Sequence, residues 1–161
     1  MRRRTALPAS PSRGIAYDTK VAPRIVLDTN VFVAAIRSRR GAAFKLVSLI
    51  GKGLFDVVLS VPLALEYEDA LLRHAGDAGL NATDIEAIVD YVCKVAVHQP
   101  IFFLWRPLLP DAKDDMVLEV AIAGGCSFIV TFNVRDFSAA ATLKVDTVTP
   151  KQFLSQIGEL P

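Results

Sequence analysis

The sequence predicts an α/β sandwich around a mostly parallel sheet, and three observations carry that expectation. Short, largely apolar runs recur at residues 25–27, 55–59, 95–97 and 128–130, the pattern of strands covered on both faces. Stretches with apolar residues at helical spacing lie between them, as a parallel sheet with crossover helices requires. Polar clusters then follow two of the runs directly: Asp28-Thr29-Asn30 after the first, and Thr131-Phe132-Asn133 after the fourth. In an open parallel sheet the ligand crevice lies outside the carboxyl ends of the strands. Both clusters are therefore delivered to the edge where function is expected.

Whole-chain properties narrow the class. A chain of 161 residues, 52% hydrophobic, has the length and apolar content of one globular domain with a sizeable core. Its net charge of +1 announces no nucleic-acid binder, so any such role must rest on local patches. Cys93 and Cys126 are far apart and in no metal-ligand spacing, which suits a reducing cytoplasm. His74 and His98 stand alone and read as surface or core-edge residues rather than ligands. The longest uncharged run, between Glu119 and Arg135, is broken by Gly124-Gly125 and too short to span a bilayer. Met1-Arg2-Arg3-Arg4 is followed by no apolar stretch, so no secretory signal is expected. Residues 1–22 read as a flexible basic tail or a misassigned start, and residues 23–161 as the folded domain.

Taken in order, the first strand ends in Asp28. Two roles are open to this residue: a carboxylate presented at the sheet edge, or an N-cap for the next helix with Asn30 assisting. That helix should run from Val31 to Arg37, where Arg37, Arg39 and Arg40 cluster. Cations suit a helix C-terminus, and near the Asp28 edge they could also hold phosphates. A second helix is predicted over 42–50, ended by Gly51 and Gly53. After the second strand, Ser60-Val61-Pro62 opens a helix to about His74 whose apolar stripe is Leu63, Tyr67, Ala70 and Leu71. Glu66 borders that stripe and Glu68 lies well round the other side, so Glu66 is the one placed to look over the strand ends. Thr83 and Glu86 are in capping-box spacing for a helix over 83–94, and residues 95–97 follow as a strand. The aromatic, proline-rich stretch 100–110 (Phe102, Phe103, Trp105, Pro107) reads as a packed loop, with base stacking the alternative. Asp111-Ala112-Lys113-Asp114-Asp115 leads a helix to Ala123; Val117, Leu118 and Ala121 share the face of Asp114, leaving Asp115 nearer solvent. A last short strand containing Val145 and a helix from Thr149-Pro150 to Ile157 complete the chain.

Asp28, Glu66 and Asp114 thus converge on one edge, joined by Asn133 and Asp136. Carboxylates gathered without matching lysines repel one another and call for a cation, and all-oxygen ligation suits Mg²⁺ or Mn²⁺. Such an ion can activate water and stabilise charge on a phosphoryl oxygen. No Ser-His-Asp or Cys-His arrangement, P-loop or G-x-G-x-x-G competes for the site. At Asp136 two roles are open, a reach toward the metal or its water, or the capping of a local turn with Thr131 or Ser138.

The motifs Ile-Val-Leu-Asp28-Thr-Asn30-Val, Ser60-Val-Pro62 with Glu66, Asp111-Ala-Lys-Asp114-Asp115, and Ile-Val-Thr131-Phe-Asn133-Val-Arg-Asp136-Phe together resemble the PIN domain. Within it they resemble the bacterial putative toxin components of toxin–antitoxin systems, similar to VapC-type ribonucleases. The resemblance runs from about Arg24 to Leu154. It implies a three-layer α/β/α fold with the first strand central. It also implies hydrolysis of single-stranded RNA at a Mg²⁺ or Mn²⁺ pocket, and a cognate antitoxin as partner; a homodimer is left open. Asp28, Glu66 and Asp114 match the family's acidic triad, and Asn30 and Thr131 its polar supports. Where many members have an Asp after the fourth strand, this chain has Asn133, with Asp136 three residues on. A haloacid-dehalogenase-like phosphatase is set aside, because Asn30 cannot serve as its second, proton-donating Asp. The remaining alternative is a PIN-fold protein-binding module with little nuclease activity.

Overall fold

The computed structural model describes residues 21–102 and 109–160. Most of the expected tail, and Phe103, Trp105 and Pro107 of the expected aromatic loop, lie outside the described residues. Five strands form one sheet: β1 (Arg24–Leu27), β2 (Asp56–Leu59), β3 (Val97–His98), β4 (Phe128–Val130) and β5 (Asp146–Val148). Every pairing is parallel and the order is β3-β2-β1-β4-β5. The helices are α1 (Thr29–Arg37), α2 (Ala42–Ser48), α3 (Val61–His74), α4 (Ala82–Val95), α5 (Ala112–Ala123) and α6 (Pro150–Gln156), with 3-10 segments at Gly76–Ala78 and Val134–Leu143.

This order follows from the residues. Ile25, Val26 and Leu27 are successive and all fully buried. Since neighbouring strand residues point to opposite faces, β1 must be covered above and below as well as flanked by β2 and β4. From β1 the chain moves outward through β2 to β3, then returns to the other side of β1 for β4 and β5. The reversal leaves a switch point between β1 and β4, where the flanking connections diverge and open a crevice at the carboxyl edge. Asp28 and Thr131 are the first residues beyond those two strands.

Several boundaries differ from the sequence reading. The cap of α4 is Asn81, not Thr83: its side chain accepts from the Asp84 amide at 2.9 Å while Asp84 accepts from the Asn81 amide at 2.9 Å. An Asn–Asp pair closes the same reciprocal box two residues earlier. Because α4 then continues to Val95, the third strand is displaced to Val97–His98. Val145 is a buried residue just before β5 rather than part of it, because Lys144 takes a left-handed conformation (φ 61°) to end the preceding 3-10 segment.

Gly124 shows how closely α5 lies on the sheet. A Cβ there would sit 2.6 Å from Val58 Cγ1 on β2 and 2.9 Å from the Val120 carbonyl oxygen. Gly124→Ala is therefore expected to destabilise the fold by about 1–3 kcal/mol through overpacking. Urea unfolding that shows an unchanged midpoint would contradict this close approach.

Candidate active site

Asp28 occupies the N-cap position of α1 with extended backbone (φ −68°, ψ 147°), yet its carboxylate closes no cap hydrogen bond. It turns instead across the switch point, where Thr131 Oγ1 donates to Asp28 Oδ2 at 2.6 Å. The Thr131 hydroxyl oxygen also accepts from the Asn133 amide at 3.0 Å and from Asn30 Nδ2 at 3.3 Å. Asn30 Oδ1 accepts from the Phe132 amide at 3.4 Å. Asp28, Asn30, Thr131 and Asn133 are thus one hydrogen-bonded group joining the ends of β1 and β4. Beneath it, the Tyr67 hydroxyl donates to the Leu27 carbonyl, with the ring against Phe32 at a 4.5 Å centroid distance. Burial, and then the charge of Asp28, push the Tyr67 hydroxyl well above its ordinary pKa, so it stays a donor.

Asp28 is only 7% exposed and Thr131 fully buried. Burial raises the Asp28 pKa; the Thr131 hydroxyl and the Thr29 and Asn30 amides oppose that rise, and the charge of Asp136 adds to it. Asp114, half-buried in the first turn of α5, is pushed up to about 6 by burial first, then by Asp28, Asp111, Asp136 and Asp115. These neighbouring carboxylates lie close enough to Asp114 that each adds to its rise.

The placement of Asp115 corrects the sequence reading. It is 2% exposed, and its Oδ1 accepts from the Leu109 amide at 2.9 Å. The expectation assumed a helix with one buried face. In fact Asp115 and every residue from Val117 to Ala121 is buried, because α5 packs on the sheet, α3 and the second 3-10 segment together.

Glu66 looks inward, with a side chain 15% exposed, but it is not a bare carboxylate. Lys113 Nζ lies 3.2 Å from Glu66 Oε1, and Arg73 Nη2 lies 4.0 Å from the same oxygen. The idea of carboxylates without matching lysines therefore does not hold at this position. Glu68 points toward α4, where its charge acts on Cys93. After Thr131 the chain turns as a 3-10 segment, in which residues three apart align. Asn133 and Asp136 are both exposed, and the Asp136 amide donates to the Asn133 carbonyl at 3.0 Å. The three arginines are elsewhere. Arg37 ends the nine-residue α1 that Asp28 begins and pairs with Asp77 at 3.6 Å; Arg39 and Arg40 follow, exposed. At 1.5 Å per residue the helix carries Arg37 roughly 13 Å from the Asp28 end.

Two contributors escaped the sequence reading. Tyr67 read as one more stripe residue, and nothing local marks which backbone carbonyl its hydroxyl meets. Lys113 left a signal: a cation in the first turn of a helix opposes the helix dipole, so its presence there asks for a partner from another element.

The chemistry of the donor set, oxygens only with an excess of negative charge, fits a hard divalent cation. Among the described residues, though, no three His, Cys, Asp or Glu side chains are already gathered as a metal cage.

A parallel α/β sheet with carboxylates at its switch point defines an acidic-site α/β domain. The chain belongs to the PIN-domain family, whose model, described as PIN domain, matches residues 24–135. Members are generally nucleases and generally use divalent metal ions. The solved structure of VapBC2 from Rickettsia felis bound to a DNA fragment from their promoter is similar in fold, with a TM-score of 0.52 at 14% identity, over 77% of this chain and 96% of that one. No curated protein matches the chain. Among the described residues no helix is long and apolar enough to cross a membrane.

Two outcomes follow from this geometry. A carboxyl whose folded pKa lies above its unfolded value costs stability once pH rises through that window. For Asp114 the window runs from the ordinary 3.8 to about 6. In metal-free buffer, Asp114→Asn should match the unmodified chain in melting temperature near the bottom of that window and exceed it above the top. A difference that does not vary with pH would remove the proposed crowding. Tyr67→Phe should cost about 1–3 kcal/mol in chemical denaturation by stranding the Leu27 carbonyl; a neutral result would mean that oxygen finds another donor.

Proposed function

We propose that the domain at residues 23–161 is a divalent-metal-dependent ribonuclease, acting in the cytoplasm as the toxin of a toxin–antitoxin pair. The observation that carries the reading is the gathering of Asp28, Asp114 and Asp136 at the switch-point edge, where burial first and then the neighbouring carboxylates push Asp114 up to about 6. Asp28, Asp114 and Asp136, with Glu66 behind Lys113, would hold Mg²⁺ or Mn²⁺; bound there, the ion would supply an activated water and charge neutralisation at a scissile phosphate. Thr131 and Asn30 hold the Asp28 carboxylate in place, and Asn133 offers a neutral carbonyl oxygen for orienting the phosphate. Asp115 supports from beneath by fixing the chain entering α5. Family membership supports nuclease chemistry, and the fold likeness to VapBC2 supports an antitoxin as partner.

A second reading, a PIN-fold protein-binding module, is favoured by two observations: Glu66 is paired with Lys113, and no metal cage is preassembled among the described residues. Metal titration separates the two. Mn²⁺ should raise the melting temperature of a nuclease by binding its native state alone; a melting temperature indifferent to Mn²⁺ and Mg²⁺ would favour the module.

Cleavage of single-stranded RNA should require Mn²⁺ or Mg²⁺, stop with EDTA, and be abolished by Asp28→Asn or Asp114→Asn. Thr131→Val, which removes the donor behind Asp28, should weaken apparent metal affinity roughly 10–100-fold. Wild-type cleavage by either Asp variant would refute the site.

A further inference from the structure

Among the described residues, a polyanion approaching this edge meets Asp28, Asp111, Asp114 and Asp136, all of one sign. Lys113 stands among them, and its setting is specific. It follows the N-cap Asp111 by two residues and precedes Asp114 directly. A lysine in that first turn is opposed by the helix dipole, and what holds it is a carboxylate from a different helix, Glu66 of α3, at 3.2 Å. The burial is asymmetric: the Glu66 side chain is 15% exposed and that of Lys113 57%. Glu66 is thus the fixed partner inside and Lys113 the ammonium at the surface. Arg73 does not replace it, being closer to Asp69 (3.2 Å) than to Glu66 (4.0 Å). An ammonium has three donors, so Lys113 can keep its bond to Glu66 and still present N–H groups outward.

We propose that Lys113 is a binding residue for the phosphodiester backbone of single-stranded RNA, and that Glu66 is the positioning residue that holds its ammonium at the acidic edge. The assignment rests on the ribonuclease reading for the identity of the polyanion, and it gives Glu66 a role that needs no metal. The bond to Glu66 restricts a long side chain that would otherwise sample many rotamers, so that less freedom is lost when phosphate arrives. The helix-end arginines, at the other end of α1, are not needed for this contact.

The test is binding of a fluorescein-labelled single-stranded RNA oligonucleotide to the full chain in EDTA, read by anisotropy across a salt series. Without metal there is no cleavage, so the readout reports binding, and the difference between variants isolates Lys113. Lys113→Ala and Lys113→Gln should each weaken binding roughly tenfold at low salt, the size of a lost charge-assisted hydrogen bond. The slope of log affinity against log salt should become shallower by about 0.7, one phosphate contact on a single strand. Lys113→Arg should keep the slope, and Lys52→Ala, at the opposite edge, should leave it unchanged. In a Glu66→Gln background the effect of Lys113→Ala should shrink, because the ammonium has lost its anchor. An unchanged slope in Lys113→Ala and Lys113→Gln, or an equal change in Lys52→Ala, overturns the proposal; an undiminished effect in the Glu66→Gln background overturns the role of Glu66. If the nuclease reading fails instead, RNA binding and its Lys113 dependence persist while addition of Mn²⁺ produces no cleavage. Absence of RNA binding by the unmodified chain in EDTA overturns the Lys113 assignment, and the ribonuclease reading then stands or falls on cleavage with Mn²⁺.

Discussion

An ionised carboxylate at the end of a strand buried on both faces is costly unless strong donors face it. This domain meets that requirement with the hydroxyl of Thr131, held 2.6 Å from Asp28 across the gap between β1 and β4. The same oxygen gathers the Asn133 amide and the Asn30 side chain, so one atom ties together two strand ends and the turns that follow them. Compensation remains incomplete, since burial still holds the Asp28 carboxyl above its ordinary pKa. The rest of the edge is built around that residual anion.

Two kinds of carboxylate surround it. Asp114 and Asp136 are of the same sign as Asp28, and the charges of Asp28 and Asp136 add to the rise at Asp114. Glu66 is neutralised by a cation of the protein's own, Lys113, with Arg73 beyond. The first kind concentrates negative charge at the edge, whereas the second also organises the protein's own basic groups. In one-dimensional form the two are indistinguishable, because acidity is visible in a sequence and pairing is not.

That contrast explains what could be read from the chain. The sheet was legible because buried parallel strands write themselves as uninterrupted apolar runs, as at Ile25-Val26-Leu27, with the polar residues that follow marking the carboxyl edge. Glu66 was separable from Glu68 because helical spacing fixes direction. Asp115 goes against the helical-face argument because that argument presumes one buried face, and α5 is buried around most of its middle turns. The α4 cap was misplaced by two residues because Thr83–Glu86 and Asn81–Asp84 satisfy the same spacing rule, and only the backbone decides between them. Contacts joining distant segments, such as Tyr67 to the Leu27 carbonyl, leave no local trace.

The Thr131–Asp28 bond joins residues 103 positions apart. Non-local pairing of this kind forms late and slowly compared with helical contacts. A growing polypeptide that has emerged only as far as α4 can form β1 and its neighbouring helices, but it has no β4 with which to complete the crevice. The order of synthesis therefore leaves the Asp28 carboxylate without its donor until β4 has been made, and any truncation before Thr131 yields a fragment in which that bond cannot form.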